Sequence, residues 1–170
     1  LIIKNFLGKK VNINNITLNL IGKHNILNSV AAISVCLNLG IKIKTIKIAL
    51  SKFTGVQRRM TKIFEKNNNE FYDDYAHHPT EIFSVLEGIK KVAKKKKITA
   101  VFQPHRYSRV SSLQKDFSKS FIFSDRVILC PVYPAGEKIN KKLKFVKFGK
   151  MIALNSKVQV IIIKDEENLK

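Results

Sequence analysis

Apolar and polar residues alternate over the first twenty positions, as in "VNINNITLNL", a period of two that predicts short strands with one face buried. The pattern then changes to the nearly continuous apolar run "GKHNILNSVAAISVCLNLG". It predicts a helix over about Asn25–Leu39, with Gly40 as the residue that ends it. A shorter amphipathic helix is expected over Thr45–Phe53, carrying Ile46, Ile48, Ala49 and Leu50, before Gly55 breaks the chain. "MTKIFEK" and "EFYDDY" read as strands joined through the turn-forming "NNN". Pro79 suits the first turn of a helix, with Glu81 near its positive end. Ile82, Val85, Leu86, Ile89 and Val92 form one stripe along that helix.

"ITAVFQ" follows as a buried strand, then a helix with Leu113, Phe117 and Phe121 at four-residue spacing. The strand "RVILCPV", a weak helix over Phe145–Leu154 and the strand "VQVIII" complete the pattern. Alternating strands and helices imply a parallel, doubly wound α/β sheet. The change of pattern puts a domain boundary near Gly55–Arg58, dividing the chain into residues 1–55 and 56–170, with no internal repeat.

A length of 170 residues fits one domain, or one domain and part of another. No apolar run reaches the roughly 18 residues of a membrane span, and no secretory leader is expected. The start "LIIKNF", without methionine, is the start expected of a piece of a longer chain. Cys36 and Cys130 sit in apolar surroundings and are read as buried reduced thiols, which favours a cytoplasmic location. The net charge of +20 invites a nucleic-acid reading. However, the dense lysine runs, Lys90–Lys97 and Lys138–Lys150, lack the interleaved aromatics of a stacking platform, and the first suits a helix C-terminus. No specific nucleic-acid partner is expected.

Charge gains meaning when arginine is separated from lysine. Among 32 basic residues only Arg58, Arg59, Arg106, Arg109 and Arg126 are arginine, and four of these form two tight pairs. A planar guanidinium grips carboxylate or phosphate through two parallel hydrogen bonds, which a lysine ammonium cannot do. Two anion sites follow, one at the boundary and one in "FQPHRYSR". In open α/β sheets ligands gather where strands end, and "DDYAHHP", "QPHRYSR" and "PVYPAGE" all fall at strand exits. Asp73 and Asp74 fit turn and site roles equally, and His24–Asn25 fit a helix cap as well as a site. The adjacent His77 and His78 lack the spacing of a metal pair on one helix face, so no metal site is read here. These residues alone point to an enzyme handling a nucleotide or a carboxylate, with no reaction specified.

In order along the chain, "GKHNILNSVAA", "GVQRRM", "DDYAHHPTEI", "FQPHRYSR" and "PVYPAGE" closely resemble the Mur ligase family, over about Gly22–Glu137. The resemblance implies a mostly parallel, Rossmann-like C-terminal ligase domain preceded by the last strands and helices of a central ATP-binding domain. It also implies ATP-dependent amide formation through an acyl phosphate in peptidoglycan precursor synthesis. The implied substrates are UDP-N-acetylmuramate and L-alanine, and the cofactors ATP and Mg²⁺, the metal held mainly by residues this chain lacks. On this resemblance Asn25, Asn28, Arg59 and Asp74 would bind ATP. Tyr75, His77, His78, His105, Arg106 and Arg109 would bind substrate, with His105 and Arg106 catalytic. "FQPHRYSR" separates this reading from the relatives that attach a preformed tripeptide.

No G-x-x-x-x-G-K-[ST] phosphate loop occurs in the chain, and its C-terminus reads as ending before the family's last strand and helix, so the chain is expected to be inactive alone. The rival readings are, within the same class, the ligase that recycles a preformed tripeptide and, from other classes, a basic nucleic-acid-binding module and a non-catalytic relative of the ligase domain. No oligomeric state follows from these motifs.

Overall fold

The computed structural model describes residues 2–6, 9–93, 95–140 and 143–163. Expectations resting on Leu1, Leu7, Gly8, on Lys94, Lys141 and Lys142 of the lysine runs, and on residues 164–170 lie outside the described residues. The chain divides into two compact units, Leu1–Tyr75 and Ala76–Lys170.

In the first unit β1 (Ile2–Phe6) pairs antiparallel with β2 (Lys9–Asn12). The ladder ends at Asn12, paired with Ile2, short of the strand expected through residue 20, and Asn15 further on takes positive φ. Ile13 is nonetheless buried, and Ile16 packs beside it. The helix α1 (Lys23–Asn38) ends as the sequence implies. Gly40, at φ 75°, donates its N–H to the Leu37 carbonyl, and Ile41 donates to that of Cys36, the two bonds of a Schellman motif. The helix α2 (Ile43–Lys52) places Ile46 against Ile33 and Ile13. Cys36 and Cys130 are free, the first half-buried and the second buried.

The nearly continuous apolar run of α1 is buried along one face. Ile33 is buried, whereas Ile26, Leu27 and Val35 are more than half exposed. The antiparallel hairpin of β3 (Thr61–Lys66) and β4 (Asn69–Asp73) turns at Asn67 and Asn68, both at positive φ, which asparagine tolerates better than other side chains. Phe64 and Phe71 stack across it with ring centroids 4.1 Å apart.

The second unit is a mixed α/β layer. The helix α3 (Pro79–Ala93) starts on its proline and turns Ile82 and Leu86 inward, while Val92, expected in the same stripe, is exposed in the last turn. The strands β5 (Thr99–Phe102), β6 (Arg126–Leu129) and β7 (Gln159–Ile162) form a parallel sheet in the order β5-β6-β7. Val101 pairs with Ile128, and Ile128 with Ile161. The single helix expected after β5 is two, α4 (Tyr107–Ser112) and α5 (Gln114–Lys119), separated at Leu113, whose φ of −114° and ψ of 21° depart from helical values. The bonds Leu113 N–H to Arg109 O and Phe117 N–H to Leu113 O carry the chain through the break. Phe117 and Phe121 thus keep the burial their spacing implied.

The helix α6 (Phe145–Ser156) brings Phe148 edge-on to Phe117, at 6.1 Å between centroids. Replacing such a fully buried phenylalanine by alanine typically costs about 3–5 kcal/mol. A polar seam ties α5 to α6. Ser156 Oγ donates to the Ser118 carbonyl at 2.7 Å and accepts the Phe121 N–H at 3.2 Å, and Asn155 Nδ2 donates to Ser118 Oγ at 2.8 Å. Both serines are buried, so each bond spares a desolvated group from going unpaired.

Asp125 caps the start of the sheet. Its carboxylate accepts the Ile98 N–H at 2.8 Å and meets Lys97 at 3.2 Å and Lys90 at 3.6 Å. The Ile98 bond, then the lysines, hold its pKa below the ordinary value of 3.8. A carboxyl depressed on folding stabilises fully above its unfolded pKa, and that contribution is lost as pH falls through the folded pKa. Asp125→Asn is therefore expected to lower stability at pH 7, with the gap to wild type closing below about pH 3.8. Denaturant unfolding of both proteins across pH 2–7 checks this; a gap that stays constant to pH 2 contradicts it.

Candidate functional site

Each unit carries its own part of the sequence-predicted site. In the first unit the chain enters α1 through Gly22, at φ 102°, with the His24 ring lying against its backbone. Gly22, not His24 or Asn25, is the N-cap residue. Asn25 Nδ2 instead donates back to the Ile21 carbonyl at 2.7 Å, and His24 Nδ1 is buried without a hydrogen-bond partner. Asn28, three positions on, is exposed.

The "GVQRRM" segment is held by "DDY". Arg58 and Met60 both take positive φ, a conformation uncommon for residues other than glycine. Arg58 Nε lies 3.3 Å from Asp73 Oδ2, and its guanidinium stacks over the Tyr75 ring at 4.9 Å. The Tyr75 N–H donates to the Arg58 carbonyl at 2.8 Å, and Asp74 Oδ2 accepts the Met60 N–H at 2.9 Å. The two arginines are not equivalent: both are exposed, but Arg58 is engaged within the segment by Asp73 and Tyr75. Asp73 and Asp74 both fix its conformation.

In the second unit three loops meet. "HHPTE" forms a reciprocal helix cap: His78 Nδ1 accepts the Thr80 N–H at 3.3 Å, and Glu81 Oε2 accepts the N–H groups of His78 at 3.2 Å and His77 at 3.0 Å. The same carboxylate lies 3.6 Å from His77 Nδ1. His78 thus has a local structural task, whereas the His77 ring turns toward His105, 6.5 Å away between centroids. The other two loops leave the carboxyl ends of the paired strands β5 and β6. Their pairing continues past the sheet as a parallel bridge between His105 and Tyr133, whose rings lie 5.2 Å apart.

Arg106, next in line, has φ 67° and ψ 124°. Such a backbone costs a residue with a side chain about 1–3 kcal/mol and persists only where its surroundings impose it. Here its N–H donates to the Tyr133 carbonyl at 2.9 Å and its carbonyl accepts the Val110 N–H at 3.1 Å. Arg106 is exposed, and Arg109, in the first turn of α4, is half-buried. Past the end of β5 the chain thus carries His105, Arg106 and, within α4, Arg109, with the His105 ring facing that of His77; side chains of these types can hold a carboxylate.

Three further residues organise this part: Glu81, Tyr133 and Glu137. Glu137 accepts the Ser108 N–H at 3.0 Å and a short hydrogen bond from the Ser108 hydroxyl. The Ser108 bonds, above all that of the hydroxyl, hold the Glu137 carboxyl below its ordinary pKa, with Arg106 adding to the effect. "PVYPAGE" marks the place of Tyr133 and Glu137 in the sequence. The signal for Glu81 was its position three residues after His78, the capping-box spacing. Among the described residues no group of three His, Cys, Asp or Glu is placed to hold a metal ion, and no helix is long and apolar enough to cross a membrane.

The cap gives a direct test. Glu81→Ala should destabilise the chain by about 0.5–2 kcal/mol, the usual range for a lost cap, and Glu81→Gln by less. Chemical unfolding measures both; equal stability of all three proteins would contradict the cap.

Comparison with known proteins places the chain. The family model described as "Mur ligase, glutamate ligase domain" matches residues 58–169. A UDP-N-acetylmuramate–L-alanine ligase of Pelagibacter ubique is 50% identical over 166 residues, 97% of this chain and 36% of that protein. The crystal structure of the UDP-N-acetylmuramate–alanine ligase MurC of Thermotoga maritima is 31% identical, with a TM-score of 0.69 over 91% of this chain and 32% of that one. A murein peptide ligase of Psychrobacter arcticus, 24% identical with a TM-score of 0.64 over 94% of this chain and 34% of that one, shares the fold. The chain thus spans about a third of the length of the relatives it matches. With its parallel α/β unit and the motif order from "GVQRRM" to "PVYPAGE", it belongs to the Mur ligase family.

Proposed function

We propose that this chain is part of an ATP-dependent ligase that joins L-alanine to UDP-N-acetylmuramate in peptidoglycan precursor synthesis, in the cytoplasm. The observation that carries the reading is the strand-exit cluster of His77, His105, Arg106 and Arg109, with Arg106 held in a strained backbone. The names of the relatives above support the substrates. In this reading residues 1–55 are the end of the central ATP-binding domain and residues 56–170 belong to the C-terminal domain.

The reaction forms an amide in two steps. The muramate carboxylate attacks the γ-phosphorus of ATP, giving an acyl phosphate and ADP. The alanine amine then adds to the acyl carbon, and the tetrahedral intermediate expels phosphate. Such chemistry depends chiefly on positioning and on neutralising negative charge. Arg106 and Arg109 would clamp the alanine carboxylate, His105 would stand beside the reacting centre, and Tyr75, His77 and His78 would border the amino acid. Asn25 and Asn28 would contact adenine, Asp74 the ribose, and Arg59 the phosphates. Arg59 suits that part because its neighbour Arg58 is already paired with Asp73. ATP and Mg²⁺ are the cofactors, and Mg²⁺ is assigned no ligand among the described residues.

Specific nucleic-acid binding is not part of this reading. Several lysines of the first basic run have acidic neighbours within the fold, as in Lys91–Glu87 at 3.0 Å.

Because the chain contains no phosphate loop, the test uses a chimera in which a related ligase supplies the remaining domains. Arg106→Lys and Arg109→Lys keep the charge and lose the planar fork. Each should raise the alanine requirement roughly ten- to a hundredfold, the equivalent of about 1.5–3 kcal/mol for a charge-assisted hydrogen bond, with little change for ATP. Arg59→Lys should weaken ATP use and leave alanine saturation nearly unchanged. Saturation curves for each substrate measure this; the same effect of all three substitutions on both curves would refute the two-site assignment.

A further inference from the structure

We propose that Glu137 is a positioning residue for Arg106, holding that arginine's backbone at positive φ by tying the loop after β6 to the first turn of α4. The inference rests on the reading of Arg106 as a ligand of the substrate carboxylate. It adds a residue that acts on Arg106 without touching substrate.

The argument starts from strain in two facing loops. Arg106 has φ 67°, and in the opposite loop Ala135 has φ 50° and Gly136 has φ 87°. The Glu137 N–H donates to the Pro134 carbonyl at 3.1 Å, so residues 134–137 close a tight turn whose central pair both have positive φ. Glycine adopts this readily, but alanine and arginine do not. Two residues with side chains thus sit in unfavourable backbone regions on neighbouring loops, and the contacts between those loops must hold them there.

Those contacts are specific. On one side the loops are joined by backbone hydrogen bonds, Tyr133 N–H to Pro104 O at 2.8 Å and Arg106 N–H to Tyr133 O at 2.9 Å, beside the contact of the His105 and Tyr133 rings. On the other side of Arg106 the link is made by the Glu137 side chain, which accepts from both the amide and the hydroxyl of Ser108. Arg106 lies between these two attachments, so neither its N–H nor the start of α4 can swing without breaking one of them. The carboxylate also places a fixed negative charge near the Arg106 guanidinium. Glu137 already takes the Ser108 amide, which leaves the arginine side chains to receive an incoming carboxylate.

The experiment uses the ¹³C,¹⁵N-labelled 170-residue chain, with three observations on each protein: φ-sensitive three-bond couplings of Arg106, hydrogen exchange of the Ser108 amide, and an L-alanine titration followed at Arg106 and Arg109. Wild type should report positive φ at Arg106. Glu137→Ala should shift those couplings toward negative φ, speed Ser108 exchange at least tenfold and weaken L-alanine binding at least tenfold, with the signals of Phe117 and Phe148 unmoved. Glu137→Gln keeps an acceptor for the Ser108 N–H and a donor for its hydroxyl, and should restore positive φ.

Unchanged Arg106 couplings in Glu137→Ala overturn the proposal. So do relaxed couplings with undiminished alanine affinity, or core signals lost equally in the Ala and Gln variants. If Glu137→Ala does not fold, Ser108→Ala is read by the same couplings, and an unaltered φ there counts equally against it. A wild-type chain that shows positive φ at Arg106, dependent on Glu137, yet gives no saturable response to L-alanine refutes the carboxylate reading and leaves the backbone role of Glu137 standing.

Discussion

The parallel pairing of β5 with β6 is the constraint on which the second unit depends. Its register sets Phe102 beside Leu129, both buried, so the two strands end at the same level against the phenylalanine core. Beyond that point the chains diverge into "QPHRYSR" and "PVYPAGE", and the His105–Tyr133 bridge carries the pairing one step further. A one-residue slip of either strand would exchange its inward and outward faces. It would also move His105 and Arg106 relative to Tyr133 and Glu137. The packing of Phe102, Phe117, Phe121 and Phe148 therefore does more than stabilise: it sets where the site's loops begin.

From that base the strain at Arg106 becomes intelligible. A backbone with φ 67° is unfavourable for arginine, and here it is fastened on both sides by hydrogen bonds from the neighbouring loop. Such arrangements suit a group that must be held ready before its ligand arrives, because less ordering remains for the binding step. In the first unit Asp74 acts similarly on Met60, and Asp73 and Tyr75 hold Arg58, so both arginine pairs sit in segments with unusual backbone.

Much of this was legible in the sequence because it follows from short-range rules. The helix end at Gly40, the proline start of α3 and the three parallel strands were each signalled by local chemistry or periodicity. What escaped was non-local. The alternation over residues 11–20 reports burial, since Ile13 and Ile16 pack in the core, but the ladder that would make it a strand ends at Asn12. Spacing of Leu113, Phe117 and Phe121 reported the buried face correctly and could not show the break at Leu113. The site followed the same division. Residue types singled out Arg106, Arg109, His77 and His105 as candidates, but the cap role of His78, the pairing of Arg58 and the reach of Glu137 to Ser108 depend on distances that only the fold supplies.

The central claim is that the exits of β5 and β6 form a binding site for the carboxylate of a free amino acid. Co-crystallisation of the chain with L-alanine tests it most directly. The account predicts electron density for alanine with its carboxylate within hydrogen-bond reach of the Arg106 and Arg109 guanidinium groups, beside the His77 and His105 rings. Crystals with ordered loops from β5 and β6, grown at saturating alanine, that show alanine elsewhere or nowhere would contradict it.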